Sequence, residues 1–281
     1  MELQEARCYV CVSSKSTPYD QENGYTLVRC SGCGLLYVSP RPSDTEISQA
    51  TKTGQHHGAD TIDVTGKFSL ELIPRYLGIL GDFFASFEPG QRWLDIGCGH
   101  GEFLTALGQF SGGKLRTVGC EPNRFKVESA KSRGLDVSCF DLDRHDQKYD
   151  YLSMLNVYSH LPNPIETIGN WKKLLKPGGT LFLETGHSSH LSARDHHKPY
   201  YLPDHLSFGN EALVRRVLKQ TGFEVLAVKR YRHTVFPPLR LRRLAKESIK
   251  LLLRRPNQVR LLLPREPRRD MFVKARLLTP S

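Results

Sequence analysis

The sequence predicts an α/β protein: a doubly wound parallel sheet with a small metal-stapled appendage at its N-terminus. Three observations predict it. From residue 92 onward, short apolar runs alternate with helical patterns. The first of these runs ends in a glycine-rich turn, RWLDIGCGHGEFL, placed to bring backbone close to a ligand. Four of the seven cysteines fall in two C-x2-C pairs near the start.

The chain of 281 residues, with 39% hydrophobic and 25% charged residues, has the balance of an ordinary globular protein. It holds no apolar run of about 18 residues to span a membrane, and MELQEARCYV lacks the apolar centre of a secretory signal, so the expected location is cytoplasmic. The net charge of +11 is unevenly spread: residues 229–276 hold 16 basic and 3 acidic residues, the remainder 24 and 26. Basicity is confined to a C-terminal segment and does not surround a cleft as in many nucleic-acid enzymes.

The cysteines at 8, 11, 30 and 33 read C-x2-C-x18-C-x2-C. Two such knuckles suit tetrahedral zinc, and Cys8, Cys11, Cys30 and Cys33 leave it no open position, so the ion would be structural. Residues 1–42 are too few to build a core alone, which makes metal the folding agent of this ribbon. A disulfide framework is the rival reading, disfavoured in a cytoplasmic chain. Cys98, Cys120 and Cys139 sit in apolar runs and are expected to be buried and inert.

Residues 43–90 read as a polar linker followed by a helix over 69–84, and residues 91–281 as the main domain. Its first strand, Arg92–Ile96, runs into Gly97, Gly99 and Gly101. A dinucleotide fingerprint would need a small residue at position 102, where Glu102 stands, and Asp95 ahead of the turn suits a cationic ligand better than a pyrophosphate. LRTVGCEPN is a second strand ending in Glu121, an acid spaced to accept both hydroxyls of a ribose. GLDVSCFDLD gives a third strand ending near Asp141, and YDYLSML a fourth, followed by NVYSHLPNP. A helix over 164–175, the turn KPGG and the strand TLFLET complete another unit.

These residues resemble class I S-adenosylmethionine-dependent methyltransferases. The likeness covers roughly residues 91–228 and rests on LDIGCGHGEF, the acid at Glu121, FDLD and LLKPGGTLFLET. It implies a Rossmann-like sheet of seven strands. It also implies that Gly97, Cys98 and Gly99 pass under the methionine part of the cofactor, with Glu121 on the ribose and Asp141 and Leu142 bordering the adenine. Asp95, Gly101, Pro122 and Asn156 complete the expected cofactor site. VRCSGCGLLYVSPRPSD is similar to the zinc-ribbon start of one branch, whose members often modify sugars or other small molecules in natural-product and cell-envelope pathways. Three departures stand out. Ser159-His160 replaces the Glu-His common in that branch. N-P-P-Y, frequent in enzymes that methylate amines of nucleic-acid bases, is absent: Asn156 is followed by Val157 and Tyr158. The large C-terminal domain of the related sugar C-methyltransferases has no counterpart.

The sheet is expected to close with GFEVLAVKRY and RDMFVKARLL, separated by an insert at 232–269 where a short turn is usual. Within it, residues 239–255 (LRLRRLAKESIKLLLRR) place Leu241, Leu244, Ala245, Ser248 and Leu252 on one helical stripe among basic residues. Such a helix can pack on the sheet edge or a second subunit, lie peripherally on an anionic membrane, or touch RNA.

Residues 186–208, GHSSHLSARDHHKPYYLPDHLSF, follow the fifth strand and are long enough for a lid. YYLPDHLSF resembles the segment that closes the acceptor pocket in this family, which implies that Tyr200, Tyr201 and His205 face inward, while His190, His196 and His197 are expected to be solvated. Asp195 or Asp204 could join imidazoles around a divalent ion, although no spacing repeats a known ligand pattern. The contenders for a catalytic base are His160, then His205, then His187. The expected function is O-methylation of a small-molecule acceptor such as a sugar. An RNA methyltransferase and a non-catalytic partner subunit are the rivals.

Overall fold

The computed structural model describes residues 3–232, 241–253 and 267–279. Three ribbon strands come first: β1 (Ser16–Glu22), β2 (Tyr25–Cys30) and β3 (Leu36–Val38), antiparallel in sequence order. Leu3–Gln4 pairs with Arg41–Pro42, closing residues 3–42 on themselves. Residues expected to be a polar linker form α1 (Asp44–Thr53). Its start is a capping box, with Ser43 Oγ accepting from the Glu46 amide and the Glu46 carboxylate accepting from the Ser43 amide. The expected helix at 69–84 is α2 (Leu72–Phe83), which buries Ile73, Ile79, Leu80 and Phe83.

The main sheet then follows in βα order: β4 (Arg92–Ile96), α3 (Glu102–Ser111), β5 (Arg116–Cys120), α4 (Arg124–Lys131), β6 (Val137–Ser138), β7 (Tyr149–Leu155), α5 (Pro164–Trp171) and β8 (Leu175–Gly186). The lid ends in β9 (Ser207–Phe208), followed by α6 (Glu211–Gln220), β10 (Phe223–Tyr231), α7 (Leu241–Leu252) and β11 (Asp270–Leu277). The seven-stranded order is β6-β5-β4-β7-β8-β11-β10, parallel except for β11, which runs antiparallel to both neighbours. The order reverses beside β4, and a ligand crevice opens there, at the strands' C-terminal ends. One large core joins β4, β7 and β8 to ribbon residues Val10, Val28, Leu35 and Tyr37, so the ribbon is packed into the same apolar interior as the sheet.

Three local expectations need correction. KPGG is not a separate turn: β8 runs from Leu175 through it, pairing with β7 across an irregularity. Cys139 is exposed, because β6 ends at Ser138 and the chain leaves the sheet there, whereas Cys98 and Cys120 are buried as expected. His196 is buried, ringed by Tyr19, Tyr200 and Phe208. Of the α7 stripe, Ala245 and Leu252 are exposed and Ser248 is half-buried. Leu252 is 82% exposed, beside exposed Ile249, Leu251 and Leu253, while Glu247 is buried and bonded to Lys250. The side chains of Leu241 and Leu244, and most of the rest of the 232–269 insert, lie outside the described residues.

Candidate active site

The turn after β4 is built for close approach. Gly97 and Gly101 have φ of +68° and +91°, and a Cβ there would meet Val157 Cγ2 at 2.5 Å and Leu135 Cδ1 at 2.3 Å. Gly99, with φ +55°, has nothing within 4 Å of its missing Cβ, so its backbone faces open space. Glu121, at the end of β5, braces the turn. Its carboxylate accepts from the Gly99 amide at 2.9 Å and from the Asn123 amide at 2.9 Å. Asp95 is fully enclosed, and burial pushes its pKa up to about 7 despite the bond from Ser153 Oγ. Ser153 accepts in turn from Trp93 Nε1 at 2.8 Å. A cationic ligand would restore the Asp95 charge.

These groups line a cavity of about 570 Å³, a size suited to a nucleoside-type ligand. Asp95, Gly97, Cys98, Gly99, Glu121, Pro122, Asp141, Leu142 and Asn156 all border it, whereas Gly101 does not and packs towards Leu135 and Ala130. Asn156 adopts φ +55°, a conformation asparagine tolerates, at the end of β7. Tyr76, Lys126 and Trp171 line the same space, although nothing in the sequence singles them out.

The cavity mouth holds a cluster that chain order alone does not disclose. His160, His56 and Asp204 border it together. His160 Nδ1 donates to the Asp204 carbonyl at 2.9 Å and lies 3.0 Å from Asp204 Oδ1, while His56 Nε2 lies 3.1 Å from the same Oδ1. A carboxylate from the lid, Asp204, thus stands beside His160, which has Ser159 and not an acid before it. Burial opposes charge on His160, but Asp204 outweighs it and raises the imidazole pKa. Burial also opposes the Asp204 charge, yet His160, His205 and His56 together hold its pKa below the usual carboxylate range. His56 is lowered, by burial more than Asp204 restores. His205 is brought down to about 4 by burial and the His160 charge, and its Nδ1 donates to the Tyr200 carbonyl.

The other expected lid contacts fall elsewhere. His187 sits in a separate cavity with His190 and Arg215, and its Nδ1 accepts from the Glu211 amide at the start of α6. Tyr200 is buried against the ribbon, not the acceptor side, and Tyr201 is 44% exposed. Asp195, bonded to Ser192, is not part of the cluster.

The four ribbon thiols converge as the spacing predicts: all four Sγ atoms lie within 4.8 Å of one another. Separations of 3.4, 3.5 and 3.7 Å are too long for a disulfide and near the ~3.8 Å edge of a tetrahedron with metal–sulfur bonds of about 2.3 Å. Burial works against the Cys30 thiolate, but the amides of Cys33 and Gly32 and the Cys11 and Cys8 thiols together outweigh it and bring its pKa down to about 7, whereas burial drives the Cys8 and Cys33 thiols up.

A sheet of this order, with a glycine turn after its first strand and a carboxylate at the end of its second, defines a class I S-adenosylmethionine-dependent methyltransferase. Residues 70–228 match the family described as "Methyltransferase domain", more than half of the chain, and the protein belongs to that family, with S-adenosylmethionine as its cofactor. The ubiquinone biosynthesis O-methyltransferase of Xanthomonas campestris is 33% identical over 105 residues, 34% of this chain and 44% of that protein. Its counterpart in Saccharophagus degradans is 32% identical over 106 residues, 34% of this chain and 43% of that one. The chain thus spans less than half the length of these curated relatives. Among solved structures, phosphoethanolamine N-methyltransferase 2 of Haemonchus contortus superposes with TM-score 0.51 at 19% identity, covering 74% of this chain and 53% of that one. The [4+2]-cyclase SpnF gives 0.50 at 17% identity, covering 73% and 82%. These two likenesses concern the fold alone.

Glu121→Ala is expected to weaken S-adenosylmethionine binding by about 1.5–3 kcal/mol, since a charged acceptor and the brace on Gly99 are both lost. Calorimetric titration of the two proteins gives the difference directly. An unchanged dissociation constant would remove Glu121 from the cofactor site.

Proposed function

We propose that the protein methylates a hydroxyl oxygen of a small molecule, such as a sugar or glycosylated metabolite, with His160 as general base and Asp204 as the group that orients it. The observation that carries this reading is the His160–Asp204 pair at the mouth of the cofactor cavity. With Nδ1–H committed to Asp204, the His160 lone pair is on Nε2, and the carboxylate stabilises the imidazolium that forms. The curated relatives are named as O-methyltransferases, which supports an oxygen acceptor.

S-adenosylmethionine, when bound, supplies a methyl group on a sulfonium. The protein's part is to line up the acceptor oxygen for in-line displacement, to exclude water, and to take the hydroxyl proton on His160 Nε2 as the carbon–oxygen bond forms and the carbon–sulfur bond breaks. Asp95, Gly97, Cys98 and Gly99 would hold the methionine end, Glu121 the ribose, and Asp141 and Leu142 the adenine. Cys8, Cys11, Cys30 and Cys33 would hold one structural zinc ion. Among the described residues no helix is long and apolar enough to cross a membrane. The exposed apolar end of α7 would contact an anionic membrane surface or a partner subunit.

The test is to incubate the zinc-loaded protein with cofactor carrying a 13C-methyl group and a small-molecule extract, then read the transferred methyl by NMR. An O-methyl resonance is expected in the small-molecule fraction. Label found only on nitrogen or carbon, or only in RNA when RNA is supplied, would overturn the reading.

A further inference from the structure

The lid that carries Asp204 is bonded to the ribbon on both sides of that residue. On one side of Asp204, the Glu22 carboxylate accepts from the Tyr200 amide at 2.7 Å and, through its other oxygen, from the Leu202 amide at 3.1 Å. Asn23 Nδ2 donates to the Leu202 carbonyl at 2.9 Å. Leu202 itself is fully buried among Tyr25, Leu27, Leu36 and Val38 of the ribbon. On the other side, the Val38 amide donates to the Leu206 carbonyl at 2.9 Å, and the Leu206 amide donates to the carbonyl of Ser159, the residue before His160, at 2.8 Å. Asp204 thus lies midway between two backbone anchors. Both are fixed to ribbon strands, and one is also tied to the loop that carries the base.

We propose that Glu22 is a positioning residue for the proton-accepting pair, acting through the lid backbone to set Asp204 against His160. This rests on the reading of His160 as the base. A carboxylate is the right group for the task. Its two oxygens accept from two amides on the same side of the lid, where an amide side chain offers one acceptor and one donor. Glu22 sits at the end of β1 that faces the lid, and the opposite end of that strand pairs Ser16 with Cys30 of the thiol cluster. One hairpin therefore spans from the metal-binding end of the ribbon to the active-site lid. Charge-assisted bonds to backbone amides resist a shift of even 1 Å, the scale on which a misplaced orienting group costs catalysis.

The test needs no knowledge of the acceptor. The His160 imidazole is titrated by long-range 1H–15N NMR in the zinc-loaded full chain, in wild type, Asp204→Asn and Glu22→Gln. The groups facing His160 are Asp204 and His205 of the lid, His56 ahead of α2, and Lys126 of α4. All but Asp204 disfavour its charge when protonated, so losing or displacing Asp204 has one sign. Asp204→Asn is expected to lower the His160 midpoint by about 1–3 pH units. Glu22→Gln is expected to lower it by at least half as much, with zinc content unchanged and S-adenosylmethionine affinity within about two-fold of wild type. A Glu22→Gln midpoint equal to wild type, with Asp204→Asn shifted, would reduce Glu22 to a structural contact and leave the base reading intact. A midpoint unmoved by Asp204→Asn would overturn the base reading and this inference together. If Glu22→Gln does not fold, Asn23→Ser removes the bond to the Leu202 carbonyl instead. A lowered His160 midpoint in that variant supports the inference, and an unmoved one sinks it.

Discussion

Replacing His160 with alanine should slow methyl transfer by about 10²–10⁴-fold while S-adenosylmethionine binds within about two-fold of wild type. The two effects separate because His160 stands at the cavity mouth, and the braced glycine turn around Gly97, Gly99 and Glu121 is built without it. The pH dependence carries further information. A general base must be neutral, so turnover should fall as pH drops through the His160 pKa, which Asp204 raises above the ordinary histidine value against the effect of burial. Asp204→Asn should therefore move the acid limb of the rate profile to lower pH. It should also depress the plateau, because the orientation of the ring and the stabilisation of its charged form are lost. His205→Gln should leave the limb in place: its own pKa is already depressed to about 4, so it is neutral throughout that range. A His160→Ala protein within a few-fold of wild type would leave catalysis to alignment alone.

Cys30→Ser should release the metal and unfold the N-terminal ribbon. Structural zinc contributes apparent binding energies of about 10–16 kcal/mol in zinc-finger peptides, against about 2–5 kcal/mol for truncating an ordinary core leucine. The damage should not stop at residue 42, because Arg29 donates to the carbonyls of Ser189 and Leu191 and Glu22 binds the lid at Tyr200 and Leu202. Metal analysis of freshly purified reduced protein reads the first effect, and hydrogen exchange across residues 188–208 the second. Absence of zinc from the wild-type protein would dismiss the staple, and a lid still protected in the metal-free variant would show that the two pieces are independent.

Much of this site is legible in the sequence because its signals are local. The glycine turn, the acid at Glu121 and the paired cysteines each lie within a few residues of the backbone feature they depend on. α1 is the exception: Ser43 and Glu46 form a capping box, a local signal that goes unread inside a stretch whose polarity marks it as linker. The cluster at the cavity mouth is different. Asp204 follows His160 by 44 residues, and His56 precedes both, in a short hairpin with no helical or alternating pattern. No periodicity encodes such a meeting, which is decided by where the lid crosses the ribbon. The same crossing explains the tyrosines. YYLPDH reads as a segment closing on a ligand, but Tyr200 finds Asp20 and the apolar ribbon face closer at hand. His187 misleads for another reason: its place just after β8 is right, yet its ring accepts from the first turn of α6 and turns away from the cavity.

The fourth strand of the ribbon sheet has a consequence for how the chain is made. Ser207 pairs with Tyr37 and Phe208 with Leu36, partners about 170 residues apart. During synthesis at roughly 5–20 residues per second, some 10–30 s pass between emergence of the two sides of that pairing. The three-strand meander from Ser16 to Val38 depends on neighbouring contacts and can form early. Its outer strand, however, is Leu36-Tyr37-Val38, all three buried in the finished protein. Until residue 208 arrives, that strand is an apolar edge open to any other nascent chain, the kind of edge that invites intermolecular pairing. Heterologous production should therefore be limited by aggregation of early intermediates. Slower translation or a holding chaperone should raise the yield of soluble protein more than added stability of the finished fold would.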